Sequence, residues 1–209
     1  MLLRKLKNKH KARKEDSDLA MHFLEVYTHH FEARRKEIKS VLEIGVQYGG
    51  SLKMWRDYFP NAQITGMDIN KKCKKHRGDR IDVVVGDQGN TLLLDSFGNF
   101  DIIIDDGGHT MSQQKDSIRI LWEHLNSGGV YVLEDLETSY WPKFDGGYSP
   151  YGGKGIRTIS TIDMLKSLVD NLNHKAIAHD RAEHFKAEVI DNHIKSMHFY
   201  PSLCLLYKE

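Results

Sequence analysis

Two pairs of adjacent acidic residues stand at the ends of apolar stretches of the sequence. Asp105 and Asp106 follow FDIII, and Glu134 and Asp135 follow GGVYVL. Neighbouring carboxylates make each other harder to ionise, so a cation is expected between the two pairs. Carboxylate oxygens suit Mg²⁺, whereas Zn²⁺ would favour His and Cys ligands. Neither cysteine is near these acids in the sequence, so the pattern favours magnesium.

Asp106, Glu134 and Asp135 are the predicted metal ligands. Either Asp105 or Asp106 could supply the first carboxylate, and Asp106 is preferred because it is nearer to the glycine turn that follows. Asp105 is assigned instead to a cofactor-binding site, whose other residues are described below. The competing interpretation is that these acids only cap the segments that follow them, and it applies above all to Asp105.

His109 is the predicted general base. The chain has twelve histidines, and a single histidine is most often a surface or capping residue. His109, however, follows the first acidic pair by three residues, at the turn into the next predicted helix. An imidazole beside a metal can remove the proton of a nearby hydroxyl at neutral pH. We therefore expect His109 to deprotonate the hydroxyl of an acceptor.

Short apolar stretches alternate with helical patterns and determine where these residues lie. The predicted strands are 40–45, 62–69, 81–87, 100–106 and 128–135, and the predicted helices include 17–35, 111–126 and 158–173. This alternation predicts an α/β fold with a doubly wound, mostly parallel sheet. The C-terminal residues predict an antiparallel pair of strands around Pro201 at the sheet edge. In such sheets the site lies beyond the carboxyl ends of the strands, where the acids fall.

A glycine-rich turn follows the first predicted strand. In EIGVQYGGS, Gly45 and Gly49 permit a sharp turn and a close approach of the backbone to a ligand. Asp68 ends the next strand and suits a ribose diol, and Asp87 with Gln88 ends the third strand, where an adenine amino group could bind. The glycines alone would fit an ordinary tight turn, but the whole succession predicts a nucleoside site without phosphate clamps. The dinucleotide spacing GxGxxG is absent, which argues against a dehydrogenase.

The resemblance to a known family rests on four segments: VLEIGVQYGGSLKMWRDYFPNAQITGMDI, IDDGGH, EDLETSYW and IKSMHFYPSL. They resemble the class I S-adenosylmethionine-dependent methyltransferases, and among these the metal-dependent sugar O-methyltransferases of the mycinamicin macrolide type. The cephalosporin-hydroxylase-like proteins are more distant relatives. The resemblance covers residues 16–209 and implies a seven-stranded Rossmann-like sheet, S-adenosylmethionine and Mg²⁺. It also implies that Glu43 supports the glycine turn and the amino-acid end of the cofactor, with the other residues in the roles given above.

The segment 138–155 combines aromatic residues with glycines. A long loop after a site-forming strand is more often a lid or an acceptor clamp than a plain surface loop. Because aromatic faces suit a sugar ring, Tyr140 and Trp141 are the predicted acceptor contacts. His198 and Tyr200, in the last predicted strands, could border the same pocket or pack within the sheet edge.

Composition and charge limit the function class. The first fourteen residues hold seven of the thirty Lys and Arg and no acid, so the rest of the chain is net acidic. We expect residues 1–16 to be a basic, flexible tail, or alternatively a docking arm, before a single domain at 17–209. The acidic body argues against nucleic acid as a substrate, and the apolar runs are too short to span a membrane. Two isolated cysteines without an export signal predict a cytoplasmic protein, and we expect a homo-oligomer.

Together these features predict an enzyme that moves a methyl group from S-adenosylmethionine to a hydroxyl of a small acceptor, a sugar or glycoside. A catechol-like phenol is the alternative acceptor, because the same metal site would hold two vicinal phenolic oxygens. A non-catalytic cofactor-binding scaffold is the alternative from another class. The complete set of acids with His109 argues against that scaffold.

Overall fold

A seven-stranded mixed sheet lies at the centre of the protein, in a computed structural model that describes residues 1–14, 22–146, 159–172 and 193–209. The strands are β1 (Ser40–Ile44), β2 (Gln63–Asp68), β3 (Ile81–Val85), β4 (Phe100–Asp105), β5 (Leu125–Leu133), β6 (Ile194–Tyr200) and β7 (Leu203–Lys208). Their order is β3-β2-β1-β4-β5-β7-β6. β1 to β5 are parallel, whereas β7 is antiparallel to β5 and β6. The predicted fold class is therefore confirmed.

The strand order reverses at β1, which lies between β2 and β4. Ile44, the last residue of β1, is opposite Met67 of β2 and Asp105 of β4. Asp105 is in turn opposite Leu133 of β5. The loops that follow these four strands therefore begin side by side, at the switch point where ligands bind in doubly wound sheets.

Helices cover both faces of the sheet. Those that the structure describes are α1 (Leu2–His10), α2 (Phe23–Phe31), α3 (Gly50–Tyr58), α4 (Thr91–Asp95), α5 (Met111–Leu121) and α6 (Thr161–Leu172). Helices α1, α2 and α3 share one apolar core with Val41 and Ile102 of the sheet. Helices α4, α5 and α6 share the other core with Leu42 and Ile103. Successive side chains of a strand point to opposite faces, so neighbouring apolar residues divide between the two cores.

The first residues form a packed helix, which differs from the flexible tail that the sequence predicts. In α1, Leu3 is completely buried and Leu6 is 9% exposed, so leucines three residues apart give this basic segment an apolar side. α1 packs against α3. The approach is close, because a Cβ at Gly50 would lie 2.8 Å from the Ala12 Cα.

Asp57 of α3 forms ionic contacts with the end of α1. Lys9 Nζ lies 2.8 Å and His10 Nε2 lies 2.7 Å from Asp57 Oδ2. Arg56 donates from its guanidinium to the other oxygen, Oδ1. Burial raises the pKa of Asp57, but these donors outweigh burial and hold the pKa below its ordinary range. The N-terminal helix is therefore fixed by both apolar and ionic contacts.

The other helix and strand boundaries agree broadly with those predicted from the sequence, and two helices differ. The predicted helix at 17–35 is observed as α2, followed by a short 3₁₀ turn at Glu32–Arg34; residues 15–21 lie outside the described part of the chain. α5 ends at Leu121 rather than near 126, because Leu125 already pairs with Phe100 and begins β5. Within the described residues, no helix combines the length and apolar character that a membrane span requires.

The C-terminal strands β6 and β7, of which β6 is at the edge of the sheet, pack against α2. The His30 ring nitrogens lie 2.9 Å from the Tyr200 hydroxyl and 2.7 Å from the Tyr207 hydroxyl. The His198 ring centroid lies 4.9 Å from that of His30. Burial, together with His198 and His29, lowers the pKa of His30 to about 4. His198 and Tyr200 thus pack within the sheet edge, which was one of their two predicted roles.

Candidate active site

The glycine turn after β1 brings two parts of the backbone into contact. Gly45 has a φ of +95°, and a Cβ there would lie 1.9 Å from the carbonyl oxygen of Asp106. Gly49 has a φ of +69° and directly precedes α3, where a Cβ would meet the ring of His76. Both positions require glycine, because side chains rarely adopt positive φ and neither site has room for one. The turn has the sharp geometry that the sequence predicts.

Asp68, at the end of β2, holds this turn in place. Its Oδ2 accepts hydrogen bonds from the amides of Val46 and Gln47 at 3.0 and 2.9 Å. Its Oδ1 accepts from the Asn70 amide at 2.8 Å. Burial raises the pKa of Asp68, but the three N–H groups outweigh burial and lower the pKa, so the carboxylate is ionised at neutral pH. A carboxylate with spare lone pairs beside the turn can also accept the hydroxyls of a diol.

Two cavities open at the carboxyl ends of the strands. The larger has a volume of about 460 Å³, within the range of small-molecule sites, and is lined by Tyr48, Asp68 and Asp106 among others. The smaller, of about 160 Å³, is lined by Asp87. Gly45 and Asp68 line both cavities. The two cavities can therefore hold the two parts of one ligand, which would meet over the glycine turn.

Gln88 supports the wall of the smaller cavity. Its Nε2 donates to Asp105 Oδ1 at 2.8 Å and to Ser117 Oγ at 3.0 Å. Its Oε1 accepts from the Gly108 amide at 2.9 Å. The side-chain amide of Gln88 is thus hydrogen-bonded to other residues of the protein, whereas the sequence predicts that it contacts adenine. Asp87 is exposed to the cavity, as the predicted contact requires.

Asp105 lies beneath the site. It is completely buried, and the Tyr131 hydroxyl donates to its Oδ2 at 3.3 Å. Burial raises the pKa of Asp105 to about 7. Asp105 lines neither cavity, and Thr110 caps α5 instead by accepting from the Gln113 amide. Neither interpretation of Asp105, as a cofactor contact or as a helix cap, matches its position.

Asp106, His109 and Asp135 come together at the rim of the larger cavity. One ligand atom from each residue lies within 4.8 Å of the other two. His109 Nε2 is 3.3 Å from Asp135 Oδ2 and 3.9 Å from Asp106 Oδ1. Two carboxylates facing a cavity are a donor set that suits a hard cation such as Mg²⁺, so these residues fit a magnesium site. His109 and Asp135 have φ of +57° and +54°, a strained conformation typical of functional positions.

The ammonium group of Lys14 lies on the inner side of these acids. Its Nζ is 2.5 Å from Asp106 Oδ2 and 2.7 Å from Glu134 Oε1. The same atom is 3.1 Å from Glu43 Oε1. Burial lowers the pKa of Lys14, but the three carboxylates outweigh burial and raise the pKa well above its ordinary value, so Lys14 is charged. The Tyr27 hydroxyl donates to the same oxygen of Glu134.

Glu43 connects this cluster to the start of α3. It is completely buried and accepts hydrogen bonds from Ser51 Oγ at 2.7 Å and from Trp55 Nε1 at 3.1 Å. It lines neither cavity. Glu43 therefore braces the helix behind the glycine turn, which agrees with the supporting part of its implied role.

Comparison with known proteins agrees with this geometry. Residues 42–136 match the family model described as a methyltransferase domain. The chain is 38% identical over 193 residues to demethylmacrocin O-methyltransferase of Streptomyces fradiae, an alignment that covers 87% of this chain and 47% of the relative. It is 36% identical over 194 residues to mycinamicin VI 2''-O-methyltransferase of Micromonospora griseorubida, with 87% and 47% covered. The chain belongs to the same family of methyltransferases as these relatives.

A solved structure extends the match to the whole methyltransferase fold. The MycE methyltransferase of the mycinamycin biosynthetic pathway, in complex with Mg, SAH and mycinamycin VI, superposes with a TM-score of 0.83 at 32% identity. The superposition covers 100% of this chain and 53% of that one. This chain spans about half the length of the curated relatives that it matches.

The aromatic segment lies beside the acids of the candidate site. Tyr140 and Trp141 are 43% and 44% exposed, at the end of the 3₁₀ turn Leu136–Tyr140. Trp141 packs against Phe144, with ring centroids 6.1 Å apart, and Phe144 lies 6.2 Å from the His109 ring. Trp141, one of the two predicted acceptor contacts, is thus linked through Phe144 to the predicted base. Residues 147–155 of the predicted lid lie outside the described part of the chain.

Lys14 and Tyr27 are residues of the candidate site that sequence reasoning missed. Both are completely or almost completely buried against Glu134. Lys14 falls in the segment that the charge pattern assigns to a solvated tail. The leucine spacing in α1 could have revealed that this segment packs, because apolar residues three apart form one side of a helix.

Proposed function

We propose that this chain is the catalytic domain of a Mg²⁺-dependent O-methyltransferase that transfers the methyl group of S-adenosylmethionine to a hydroxyl of a sugar or glycoside. The observation that supports the proposal most is that Asp106, His109 and Asp135 come together in a cavity that the glycine turn also lines. In this proposal a proton acceptor and cation ligands lie next to the binding site for the nucleoside of the cofactor. The solved relative in complex with Mg, SAH and mycinamycin VI supports the same combination of ligands.

Each side of the site has its own task in the proposed reaction. Gly45 and Gly49 let the cofactor approach the backbone, Asp68 binds the ribose hydroxyls and Asp87 faces the base. Asp106 and Asp135 would hold Mg²⁺ together with Glu134, and the bound ion would supply a positive charge that favours ionisation of the acceptor hydroxyl. These site assignments are part of the proposal, and the positions of the side chains at the two cavities support them.

His109 takes the proton in this proposal. Its Nε2 faces both acids, at 3.3 and 3.9 Å, so the imidazole is oriented toward the place where the acceptor hydroxyl binds. As the proton moves to the imidazole, the acceptor oxygen forms a bond to the methyl carbon. The carbon–sulfur bond breaks, and its electron pair remains on sulfur, giving S-adenosylhomocysteine. Catalysis then depends on the alignment of oxygen, methyl carbon and sulfur.

The acceptor is proposed to stack on the aromatic segment. Trp141 and Tyr140 are nearly half exposed next to the acids, and such rings suit the apolar face of a sugar. A vicinal diol would place one oxygen toward the acids and the other within reach of His109. A homo-oligomer and a cytoplasmic location remain predictions.

The test is methyl transfer by the purified chain with Mg²⁺ and S-adenosylmethionine. Macrolide glycosides with a free sugar diol should gain one methyl group by mass spectrometry, and excess chelator should abolish the reaction. Asp135→Asn should lower kcat/KM about 100-fold or more, since a bound cation contributes several kcal/mol to such reactions. Asp116→Asn, on the outer part of α5, is the matched control and should leave kcat/KM unchanged.

Two results would contradict the proposal. Full activity in excess chelator would show that the acids are structural. Turnover of catechols with no turnover of any glycoside would transfer the assignment to a phenol O-methyltransferase, which the same metal site would permit.

A further inference from the structure

Lys14 contacts two of the predicted metal ligands, Asp106 and Glu134. Its Nζ is within hydrogen-bond distance of both Asp106 and Glu134, at 2.5 and 2.7 Å. Mg²⁺ binds oxygens at about 2.1 Å, so an ion on the same Asp106 oxygen would be at most about 4.6 Å from Nζ. The ammonium and the ion would therefore share one pair of carboxylates at close range.

The acidic cluster already contains a cation, and that cation is the ammonium group of Lys14. Glu43, Asp106 and Glu134 are each within 3.1 Å of Nζ. The Lys14 side chain is 1% exposed, so water cannot screen the repulsion between the ammonium and a second cation. Buried carboxylates without a counter-cation are costly, which explains why the ammonium group of Lys14 is held among them.

We propose that Lys14 is a resident cation of the acidic site and that a divalent metal must displace its ammonium to bind Asp106 and Glu134 together. The inference rests on the proposed metal site of the methyltransferase. It adds that metal binding is opposed by the protein's own lysine, so the affinity for metal depends on Lys14 as well as on the ligands.

The contacts of Lys14 make the exchange chemically reasonable. Glu134 keeps the Tyr27 hydroxyl as a donor when the ammonium leaves, and Glu43 keeps Ser51 and Trp55. Glu43 and Glu134 therefore each retain a hydrogen-bond donor, and the ion would bind only Asp106 and Glu134. A metal that brings two positive charges replaces a group that brings one, so the acids are better neutralised after the exchange.

The direct test is chemical labelling of lysines in the unmodified protein. An amine-acetylating reagent, followed by peptide mass spectrometry, should leave Lys14 unmodified without metal and modify it when Mn²⁺, used in place of Mg²⁺, is saturating. Lys9 is the internal control, because its side chain is 62% exposed and should react equally in both states. If Lys14 stays protected with Mn²⁺ bound, the displacement proposal is refuted.

Calorimetric titration with Mn²⁺ provides a second readout that needs no turnover. Lys14→Met removes the charge and retains the length of the side chain, so it should bind Mn²⁺ at least about 10-fold more tightly. Lys14→Arg retains the charge and should gain no affinity, and Lys9→Met should match the unmodified protein. Circular dichroism checks that each variant is folded.

The outcomes separate this inference from the proposed function. If the unmodified protein and Lys14→Met bind Mn²⁺ equally well, Lys14 does not compete with the metal, and the metal site itself stands. If Lys14→Met binds less tightly, Lys14 positions the ligands instead, and the proposal is overturned. If no variant binds Mn²⁺ at millimolar concentration, the proposed metal-dependent function fails.

Discussion

Gly45→Ala is a substitution whose effect follows directly from the geometry of the site. The new Cβ would lie 1.9 Å from the Asp106 carbonyl oxygen, a distance at which the backbone of the acidic loop must move. The φ of +95° adds a conformational cost of about 1–2 kcal/mol for a residue with a side chain. The forced displacement resembles overpacking, which costs about 1–3 kcal/mol.

The expected loss is therefore about 2–5 kcal/mol of unfolding free energy, from a total of about 5–15 kcal/mol for a domain. For a chain of this size the Tm should fall by about 4–20 °C. Because the displaced backbone belongs to Asp106, the variant should also bind S-adenosylhomocysteine and Mn²⁺ more weakly. Thermal unfolding followed by circular dichroism and calorimetric titration measure the two effects.

Gly98→Ala is the matched control for this substitution. No heavy atom lies within 4 Å of a Cβ at Gly98, and its φ is outside the positive range. Its Tm should stay within about 2 °C of the unmodified protein. A Gly45→Ala variant that melts like this control and binds both ligands normally would refute the packing of the glycine turn on the acidic loop.

Other positions give independent tests. His109→Ala should lower kcat about 10²–10⁴-fold with little change in S-adenosylmethionine affinity, and the loss should shrink as pH rises; an unchanged pH–rate profile would remove His109 from the mechanism. Asp57→Asn should cost about 1–2 kcal/mol of unfolding free energy at pH 7. Since folding lowers the pKa of Asp57, the stability difference between Asp57→Asn and the unmodified protein should be complete above pH of about 4 and vanish as pH falls further. A stability difference that persists in strong acid, or one equal to that of exposed Asp79→Asn, would contradict the ionic contact of Asp57 with α1. Trp141→Ala should raise the KM for a glycoside several-fold, and an unchanged KM would exclude stacking on this ring.

The sequence alone determined the layout of the sheet and the edge at which the site forms. Apolar runs ending in glycine or acid recur at βα spacing, and the period of side chains in strands and helices is a local property. The glycine turn, Asp68 and the acids after β4 and β5 therefore lie at the edge of the sheet that the sequence predicts, and their roles stay predictions. The same reasoning applies to the C-terminal strands, which turn at Pro201 and pair as β6 and β7.

Only the tertiary structure decided which of the two adjacent acids faces the cavity. Asp105 is still within β4 and points into the core toward Tyr131, whereas Asp106 has left the strand and reaches the rim. Both residues have the same chemistry, so composition and spacing cannot distinguish them. The orientation follows from which face of the sheet α5 and Gln88 cover.

The burial of Lys14 also depended on the tertiary structure. Lys14 is 92 residues from Asp106 and 120 residues from Glu134 along the chain, and no local pattern encodes such a contact. Seven basic residues in fourteen favour a solvated segment when each is considered alone. The two leucines of α1 change this expectation, because they pack α1 on the protein and bring the residues that follow it to the switch point. There the buried carboxylates contact the ammonium of Lys14, the only ammonium that they contact among the described residues.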